Sequence, residues 1–331
     1  MSIQFDGGAV MNRRRFLRSL ALIAAAALSA RLFGCRPDRP LVVAILPWVG
    51  YQPLYLARDL KWLPDRVRLR DGRTTNDSIT ALRSGQADAA CITLDEMLRA
   101  RAAGIPLAAA LVFDVSAGAD MVLARPGIAT LYDLARKRLG FDQHATSSLV
   151  FQKVLETTGL PASAFTLLDL PPARQLAAWR RNEVDAVITF EPTATLLMHE
   201  GARSLFDSRL MPDTIIDVLA VRRDRPAIVP LVRALAACHF RALEHMRSSE
   251  QDTLYRIAAR EGITPEEARR ELAGVTLPSL AVNRAYLVGG DARLIRAARR
   301  LSALMVRCGM LAREDDLKKL ILPNILPGDE R

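Results

Sequence analysis

From residue 41 onward, short runs of apolar residues alternate with longer stretches in which apolar positions recur every three or four residues. The runs LVVAIL, VRLRDG, DAACIT and PLAAALVFDVS predict strands, and PLYLARDLKWL, DSITALRSG and DEMLRARAAG predict the helices that separate them. An alternation of this kind is typical of a parallel sheet that is covered by helices.

A second series of the same kind follows the long strand that ends at Ser116. It predicts the strands MVLAR, RLGF, FTLLDL and DAVIT, and the helices TLYDLARK, ATSSLVFQKVLETTG, PARQLAAWRRN and EPTATLLMHEG. The long strand DTIIDVLAVRR closes this series, and the chain from Pro226 to its end reads as helices only. The segments RSGQADAACITLDE and RRNEVDAVITFEP resemble each other, so we expect two similar lobes.

Two long strands bracket the second series, as a chain requires when it leaves one lobe and later returns. We therefore predict two doubly wound α/β lobes joined by a strand hinge. Lobe I would contain residues 41–122 and 220–331, which include C-terminal helices, and lobe II would contain residues 123–219. A ligand in such a fold lies beyond the carboxyl ends of the strands, between the lobes.

Residues 1–34 have the three-part form of an export signal. The segment MNRRRFLRSLALIAAAALSARLFGC has a basic start, an apolar stretch too short for the ~20 residues that span a bilayer, and small residues before Cys35. NRRRFLRS resembles a twin-arginine signal, and LFGC resembles a bacterial lipobox with Cys35 as the lipidated residue. We therefore expect a periplasmic or extracytoplasmic protein with a membrane tether at Cys35. Residues 1–10 precede the signal, so Met11 is a possible true start.

The net charge and the positions of the histidines and cysteines argue against several classes of function. The 331 residues carry a net charge of +10, of which part lies in the export segment. Arginines recur at helical intervals in DARLIRAARRLSALMVR, which indicates a solvated face, and no aromatic residues or recognisable module suggest a nucleic-acid partner. The histidines and cysteines lack metal-ligand spacing, and no catalytic order or phosphate loop is present. We predict no metal, no cofactor and no enzymatic activity, and we expect a monomer.

Distinctive loops follow several predicted strands. PWVGYQP places two aromatic residues around Gly50, which suits stacking on a flat or cationic ligand. TLDE and HATSS open helices, where acids favour the positive end of the dipole and backbone amides can hold an anion, although simple N-capping is the alternative. The segment DVSAGAD joins two apolar runs through small residues that let the backbone approach a ligand closely.

The ordered set WVGYQPLYLAR, TND, ITLDE, VFDVSAGAD and ITFEP resembles the periplasmic substrate-binding proteins of ABC importers. The group concerned is the nitrate, sulfonate and taurine type, which includes binders of thiamine-pyrimidine precursors. The resemblance implies a periplasmic-binding-protein type II-like fold, a small-molecule ligand captured by hinge closure, and an ABC permease as the partner in the cytoplasmic membrane. It also implies a ligand site that contains Trp48, Gly50, Tyr51, Thr93, Asp95, Glu96, Asp114, Ser116, Asp120, Thr146 and Glu191, to which we add Ser147 of HATSS.

The charges among these candidates bear on the ligand. Five of them are acids, and the basic candidates near the cleft are His144, Arg125 and Arg174. Buried carboxylates need cations or donors, which favours a ligand with a protonated or hydrogen-bond-donating nitrogen, such as an amine or aminopyrimidine. An oxyanion such as a sulfonate, taurine or nitrate is the alternative, since HATSS could take an anionic group, and a zwitterion would satisfy both ends. The alternative of another class is a pyrimidine-precursor biosynthetic enzyme on the same fold, whose cysteine-rich motif is absent here.

Overall fold

The structure is a computed structural model that describes residues 39–328. The predicted export segment and Cys35 lie outside the described residues, as do residues 329–331. Two β-sheets and eleven α-helices make up the described part of the chain. The predicted α/β fold class is confirmed.

The first sheet has six strands: β1 (Leu41–Ile45), β2 (Val67–Asp71), β3 (Ala89–Thr93), β4 (Leu107–Ser116), β10 (Ile216–Arg222) and β11 (Val275–Thr276). Their order across the sheet is β11-β4-β10-β3-β1-β2. β1 is parallel to β2 and to β3, whereas β10 is antiparallel to both β3 and β4. Every residue of β3 and β4 is buried, as expected for strands with helices on both faces.

The second sheet has five strands: β5 (Asp120–Ala124), β6 (Arg138–Phe141), β7 (Thr166–Asp169), β8 (Ala186–Phe190) and β9 (Arg203–Asp207). Their order is β7-β6-β8-β5-β9. β6 is parallel to β7 and β8, whereas β5 is antiparallel to β8 and β9. Both sheets are therefore mixed and not purely parallel, because a strand that crosses from one sheet and a strand that returns run against their neighbours.

The helices occupy three parts of the chain. α1 (Gln52–Asp59), α2 (Thr75–Ser84) and α3 (Leu94–Ala102) follow strands of the first sheet, and α4 (Ser147–Thr158), α5 (Pro172–Arg180) and α6 (Thr193–His199) follow strands of the second. The C-terminal part contains α7 (Val229–Ser248), α8 (Glu250–Glu261), α9 (Pro265–Ala273), α10 (Leu280–Leu287) and α11 (Arg293–Arg307). The segment Pro226–Ser248 has the length and hydropathy of a membrane-crossing helix, but α7 packs here against α1.

The chain crosses between the sheets at residues 117–119, within the segment DVSAGAD. Ser208 fixes this crossing: its Oγ lies 2.7 Å from Ser116 Oγ and accepts the Gly118 N–H at 2.7 Å. Gly118 has φ of 130°, in the left-handed region that favours glycine. The small residues of this segment therefore allow a tight connection between two buried strands.

The structure differs from the sequence prediction in three respects. The C-terminal part is not helical throughout, because β11 pairs with the edge of β4, whose backbone groups would otherwise lack partners. TLYDLARK forms only a short 3-10 helix at Leu131–Leu134, since Arg136 has a positive φ of 62° and β6 begins two residues later. The edge strand β9 was not predicted.

Candidate functional site

A cavity of about 30 Å³ lies where loops from both sheets meet, and we call it the inner chamber. Leu46 and Thr93 reach it from the ends of β1 and β3, and Phe190 reaches it from the end of β8. Its twelve described lining residues include no lysine, arginine or histidine. They are Leu46, Trp48, Tyr51, Thr75, Thr93, Glu96, Asp120, Ala145, Thr146, Phe190, Ile215 and Asp217.

Three neighbouring strands place polar side chains in one row beside this chamber. Asp217 of β10 pairs in register with Asp114 of β4 on one side and with Thr93 of β3 on the other. Residues directly opposite each other in antiparallel strands have Cβ atoms about 5 Å apart. Because Asp114 and Asp217 are buried, with exposures of 0% and 2%, two carboxyl groups share a small volume that excludes water.

These aspartates have fewer partners than buried carboxylates usually have. Trp48 Nε1 donates to Asp114 Oδ2 at 3.0 Å, and the Tyr51 hydroxyl donates to Asp217 Oδ1. The second oxygen of each, and Oδ2 of Asp120, has no hydrogen-bond partner within residues 39–328. A buried polar atom without a partner costs about 1–3 kcal/mol. Since Asp120 and Asp217 line the chamber, their free oxygens are acceptors for a donor group placed there.

Burial raises the pKa of each of these carboxyl groups. Desolvation raises the pKa of Asp120 to about 7, and desolvation together with the charge of Asp95 raises the pKa of Glu96 to about 7. Desolvation also raises the pKa of Asp114, and desolvation followed by the charge of Asp114 raises the pKa of Asp217. The chamber therefore holds protons near neutral pH, and a bound cation would favour their release.

The aromatic loop after β1 supports the aspartates. Gly50 lets the backbone pass close to them, because a Cβ at this position would lie 1.7 Å from Asp114 Oδ2 and 2.6 Å from Trp48 Nε1. The Trp48 ring makes an edge contact with Phe190, with ring centroids 5.5 Å apart. Trp48 thus lines the chamber and also orients Asp114, a role that the sequence did not predict.

Hydroxyl groups connect the two sides of the chamber at the helix starts. Thr93 caps α3, and Glu96 Oε2 accepts the Thr93 N–H at 3.1 Å. Thr146, which precedes α4, makes no side-chain cap; its Oγ1 lies 2.7 Å from Thr93 Oγ1 and donates to Asp95 Oδ1 at 3.0 Å. Asp95 is also paired with Arg99 at 2.9 Å. The N-capping alternative for HATSS therefore does not hold for the Thr146 side chain.

The structure brings six of the predicted site residues into the lining of the inner chamber, namely Trp48, Tyr51, Thr93, Glu96, Asp120 and Thr146. Gly50, Asp95 and Asp114 lie directly behind these residues, as the contacts above show. Ser116 bonds to Ser208 at the crossing, and Ser147 is buried in the first turn of α4. Glu191 accepts the Thr195 N–H at 2.8 Å and lines a different cavity of about 630 Å³.

Sequence reasoning missed Asp217, Thr75 and Phe190. Asp217 had a visible signal, because it is the only charged residue in the apolar stretch IIDVLAV. Thr75 follows Thr74, the N-cap residue of α2, so its place in the sequence indicates a helix start and not a ligand contact. Within residues 39–328, no group of three or more histidine, cysteine or acidic side chains is arranged to hold a metal ion.

Comparisons with known proteins agree with this architecture. Residues 50–212 match the family model described as NMT1/THI5 like. A search of the curated proteins found no match.

Solved structures of similar fold include two sulfonate binders. The alkanesulfonate-binding protein SsuA from Xanthomonas axonopodis pv. citri, bound to MOPS, is 21% identical with a TM-score of 0.72, over 86% of this chain and 99% of its own. The periplasmic aliphatic sulphonate-binding protein SsuA from Escherichia coli is 18% identical with a TM-score of 0.69, over 86% and 92%. The periplasmic nitrate-binding protein NrtA from Synechocystis PCC 6803 is 13% identical with a TM-score of 0.57, over 69% and 68%.

The fold defines the class: the described chain has the architecture of the periplasmic solute-binding proteins. Residues 50–212 match, more particularly, the NMT1/THI5-like family model, and the resemblance found in the sequence is confirmed. At identities of 13–21% the structural similarity shows the fold. The ligand therefore has to be argued from the residues of the chamber.

Proposed function

We propose that this protein is the extracytoplasmic solute-binding protein of an ABC importer and that it captures a small organic ligand with a protonated nitrogen. The observation that carries this proposal is the charge of the inner chamber. Asp120 and Asp217 line it with one unpartnered oxygen each, and no described lining residue carries a positive charge. A cationic nitrogen with several N–H donors would supply both the charge and the hydrogen bonds.

The same observation disfavours a simple oxyanion in the inner chamber. Sulfonate and nitrate sites favour arginines or helix amides, because these groups donate charge-assisted hydrogen bonds to anionic oxygens. Here an anion would lie against Asp120, Asp217 and Glu96, whose ionised forms would repel it. The family fold thus accommodates a chamber that is opposite in charge to what a sulfonate requires.

Capture would proceed by hinge closure between lobe I and lobe II. Several contacts join the lobes across the chamber, among them Thr93 with Thr146, and Arg99 Nη1, which donates to the His144 carbonyl at 2.5 Å. Opening would break these contacts, whereas a ligand that bridges the lobes would favour the closed form by its differential affinity. The closed form would then deliver the ligand to a membrane permease.

The location belongs to the same proposal. The twin-arginine-like export signal in residues 1–34 and the lipobox before Cys35 support export and a lipid tether. This arrangement would hold the protein beside its permease on the outer side of the cytoplasmic membrane.

A thermal-shift panel on the purified protein tests the ligand class. The panel contains alkylamines, alkylguanidines, aminopyrimidines, taurine, alkylsulfonates and nitrate. A ligand at 100 times its Kd adds about 2.7 kcal/mol to the stability of the folded state, which is readily measured. We expect shifts with nitrogenous cations, and shifts with sulfonates or nitrate alone would overturn the proposal.

The pH dependence of binding provides a second criterion. Since Asp120 and Glu96 have pKa values of about 7 in the ligand-free protein, a cation must displace their protons below that pH. Affinity for a guanidinium probe, which stays charged throughout, should rise from pH 6 to pH 8.5, by about tenfold per pH unit for each proton released below the pKa. Calorimetric titration at several pH values measures this slope. A Kd that stays constant over this range would contradict the role of these carboxylates.

A further inference from the structure

A second cavity, of about 130 Å³, adjoins the inner chamber, and we call it the outer chamber. Thr75, Glu96 and Ala145 line both cavities, so the two volumes meet along a common wall. The other residues of the outer chamber are Asn76, Ile79, Arg83, Arg99, Ala100, Ala103, Asp142 and His144.

The charge of the outer chamber differs from that of the inner chamber. Arg83, Arg99 and His144 all line it, whereas the described lining of the inner chamber has no basic residue. Arg83 is exposed and forms no ion pair within residues 39–328. Asp142 lines the outer chamber but not the inner one. One of its carboxylate oxygens, Oδ1, already accepts a hydrogen bond from the His144 N–H at 3.0 Å. A ligand that extends from one chamber to the other therefore moves from a lining whose charged residues are all acids to one in which basic residues accompany the acids.

Arg99 is held rigidly at the boundary of the outer chamber. Its Nη2 donates to Asp95 at 2.9 Å and its Nη1 donates to the His144 carbonyl, so two separate groups fix the guanidinium. The remaining donor, Nε, is buried and has no hydrogen-bond partner in the described part of the chain. An arginine in this state can donate to an anionic group without first losing the freedom of its side chain.

The sizes of the chambers limit how a ligand can lie. A cavity needs roughly 10–15 Å³ to hold one water molecule, so the inner chamber, at about 30 Å³, accepts a group the size of an ammonium or amidinium head. The adjoining outer chamber, where Arg83, Arg99 and His144 lie, offers room for the remainder of an organic ligand.

We propose that the ligand is bipolar, with a cationic nitrogen group in the inner chamber and an anionic group in the outer chamber beside Arg83, Arg99 and His144. This inference rests on the proposed function, because it places the nitrogen against Asp120 and Asp217. The substrate class is a short amino or guanidino acid, in which a few carbon atoms separate the nitrogen from a carboxylate, sulfonate or phosphate. Such a ligand enters with its positive end first.

Two matched series of probes test the proposal by calorimetric titration. One consists of propylamine, homotaurine and propanesulfonate, and the other of propylguanidine, guanidinopropionate and propionate. In at least one series, the bipolar member should bind about tenfold more tightly than the cation alone, as expected for one added charge-assisted contact. The anion alone should bind least.

The double variant Arg83→Gln/His144→Gln then removes two basic groups and leaves the Asp95–Arg99 pair in place. It should reduce the preference for the bipolar member about threefold to tenfold and should not weaken the binding of the cation-only probe, because it removes positive charge near the cation site. Arg299→Gln is the matched control, since Arg299 is exposed on α11 and does not line either chamber. This control should keep the full preference.

The outcomes separate this inference from the proposed function. Equal affinity for cation-only and bipolar probes, or a preference that survives the double variant, would overturn the bipolar ligand and leave the cation-binding role standing. Binding of the anions alone would overturn both. If the cations of the wider panel bind and no bipolar member does, the inference is wrong and the proposed function is retained.

Discussion

Strands β3 and β8 begin alike in the two sheets. Asp88 precedes β3; its carboxylate accepts the Val42 N–H at 3.1 Å, and its own N–H donates to the Val42 carbonyl at 2.8 Å. Asp185 precedes β8 and makes the same pair of bonds with Arg138, at 2.8 Å and 2.9 Å. Each carboxylate also meets an arginine, which is Arg225 for Asp88 and Arg138 for Asp185. The similar segments of the sequence thus correspond to a repeated structural unit.

The same two strands end differently. β3 ends at Thr93, and the helix that follows turns Glu96 into the inner chamber. β8 ends at Phe190, which places a ring in the chamber, while Glu191 binds the Thr195 N–H and lines the other cavity. Acids at the amino ends have fixed backbone and arginine partners and act in the fold. Asp120 and Asp217 lie on antiparallel strands, in register with Phe190 and Thr93 at the carboxyl ends of β8 and β3. Each has one oxygen without a partner in residues 39–328, which is left for a ligand.

Asp217→Asn should show most strongly the difference between acids that bind the ligand and acids that stabilise the fold. Because it removes a charge from the inner chamber, affinity for a guanidinium probe should fall by about 3 kcal/mol, or more than 100-fold. The same change should increase the stability of the ligand-free protein. A carboxyl whose pKa is raised by folding contributes stability at low pH that is lost as pH rises through the folded-state pKa. Asparagine should therefore stabilise the protein at high pH relative to aspartate.

Calorimetric titration and denaturant unfolding at pH 6 and pH 9 measure both effects of Asp217→Asn. Ser279→Ala, which removes an exposed cap at the start of α10, is a control for general changes in unfolding. An Asp217→Asn protein that binds the probe as the parent does would remove Asp217 from the site.

Asp88→Ala should lower the stability of the protein and leave its affinity for the probe nearly unchanged. It leaves the Arg225 guanidinium without its carboxylate at 3.1 Å and removes the acceptor of the Val42 N–H, at a position that is only 3% exposed. We expect a loss of about 2–3 kcal/mol in the free energy of unfolding and less than a twofold change in Kd. Denaturant unfolding and titration of the same sample provide both values. A large loss of affinity without loss of stability would contradict the assignment of Asp88 to the fold and not to the ligand site.

The sequence predicted the elements that depend on local pattern. The apolar runs LVVAIL and DAACIT correspond to β1 and β3, and the periodic segments PLYLARDLKWL and DEMLRARAAG correspond to α1 and α3. Asp217 could not be placed in the site from the sequence, because its role depends on pairing with Asp114, more than a hundred residues away, and on the register of that pair. β9 was missed because its pattern is weak and its position depends on the free edge of β5.

The role of the Thr146 hydroxyl could not be predicted from the sequence either, and changing this residue should have the smallest effect on binding. A threonine before a helix is usually a cap, yet this hydroxyl binds Thr93 and Asp95 across the chamber. Thr146→Val keeps the shape and removes that link, so we expect the Kd of a cationic probe to rise about threefold, in line with one hydrogen bond of about 0.5–1.5 kcal/mol. Thr158→Val is the control, since its hydroxyl lies in the same helix and bonds only to nearby backbone atoms. If both variants weaken binding equally, the effect comes from α4 as a whole, and the contact between the lobes does not contribute to capture.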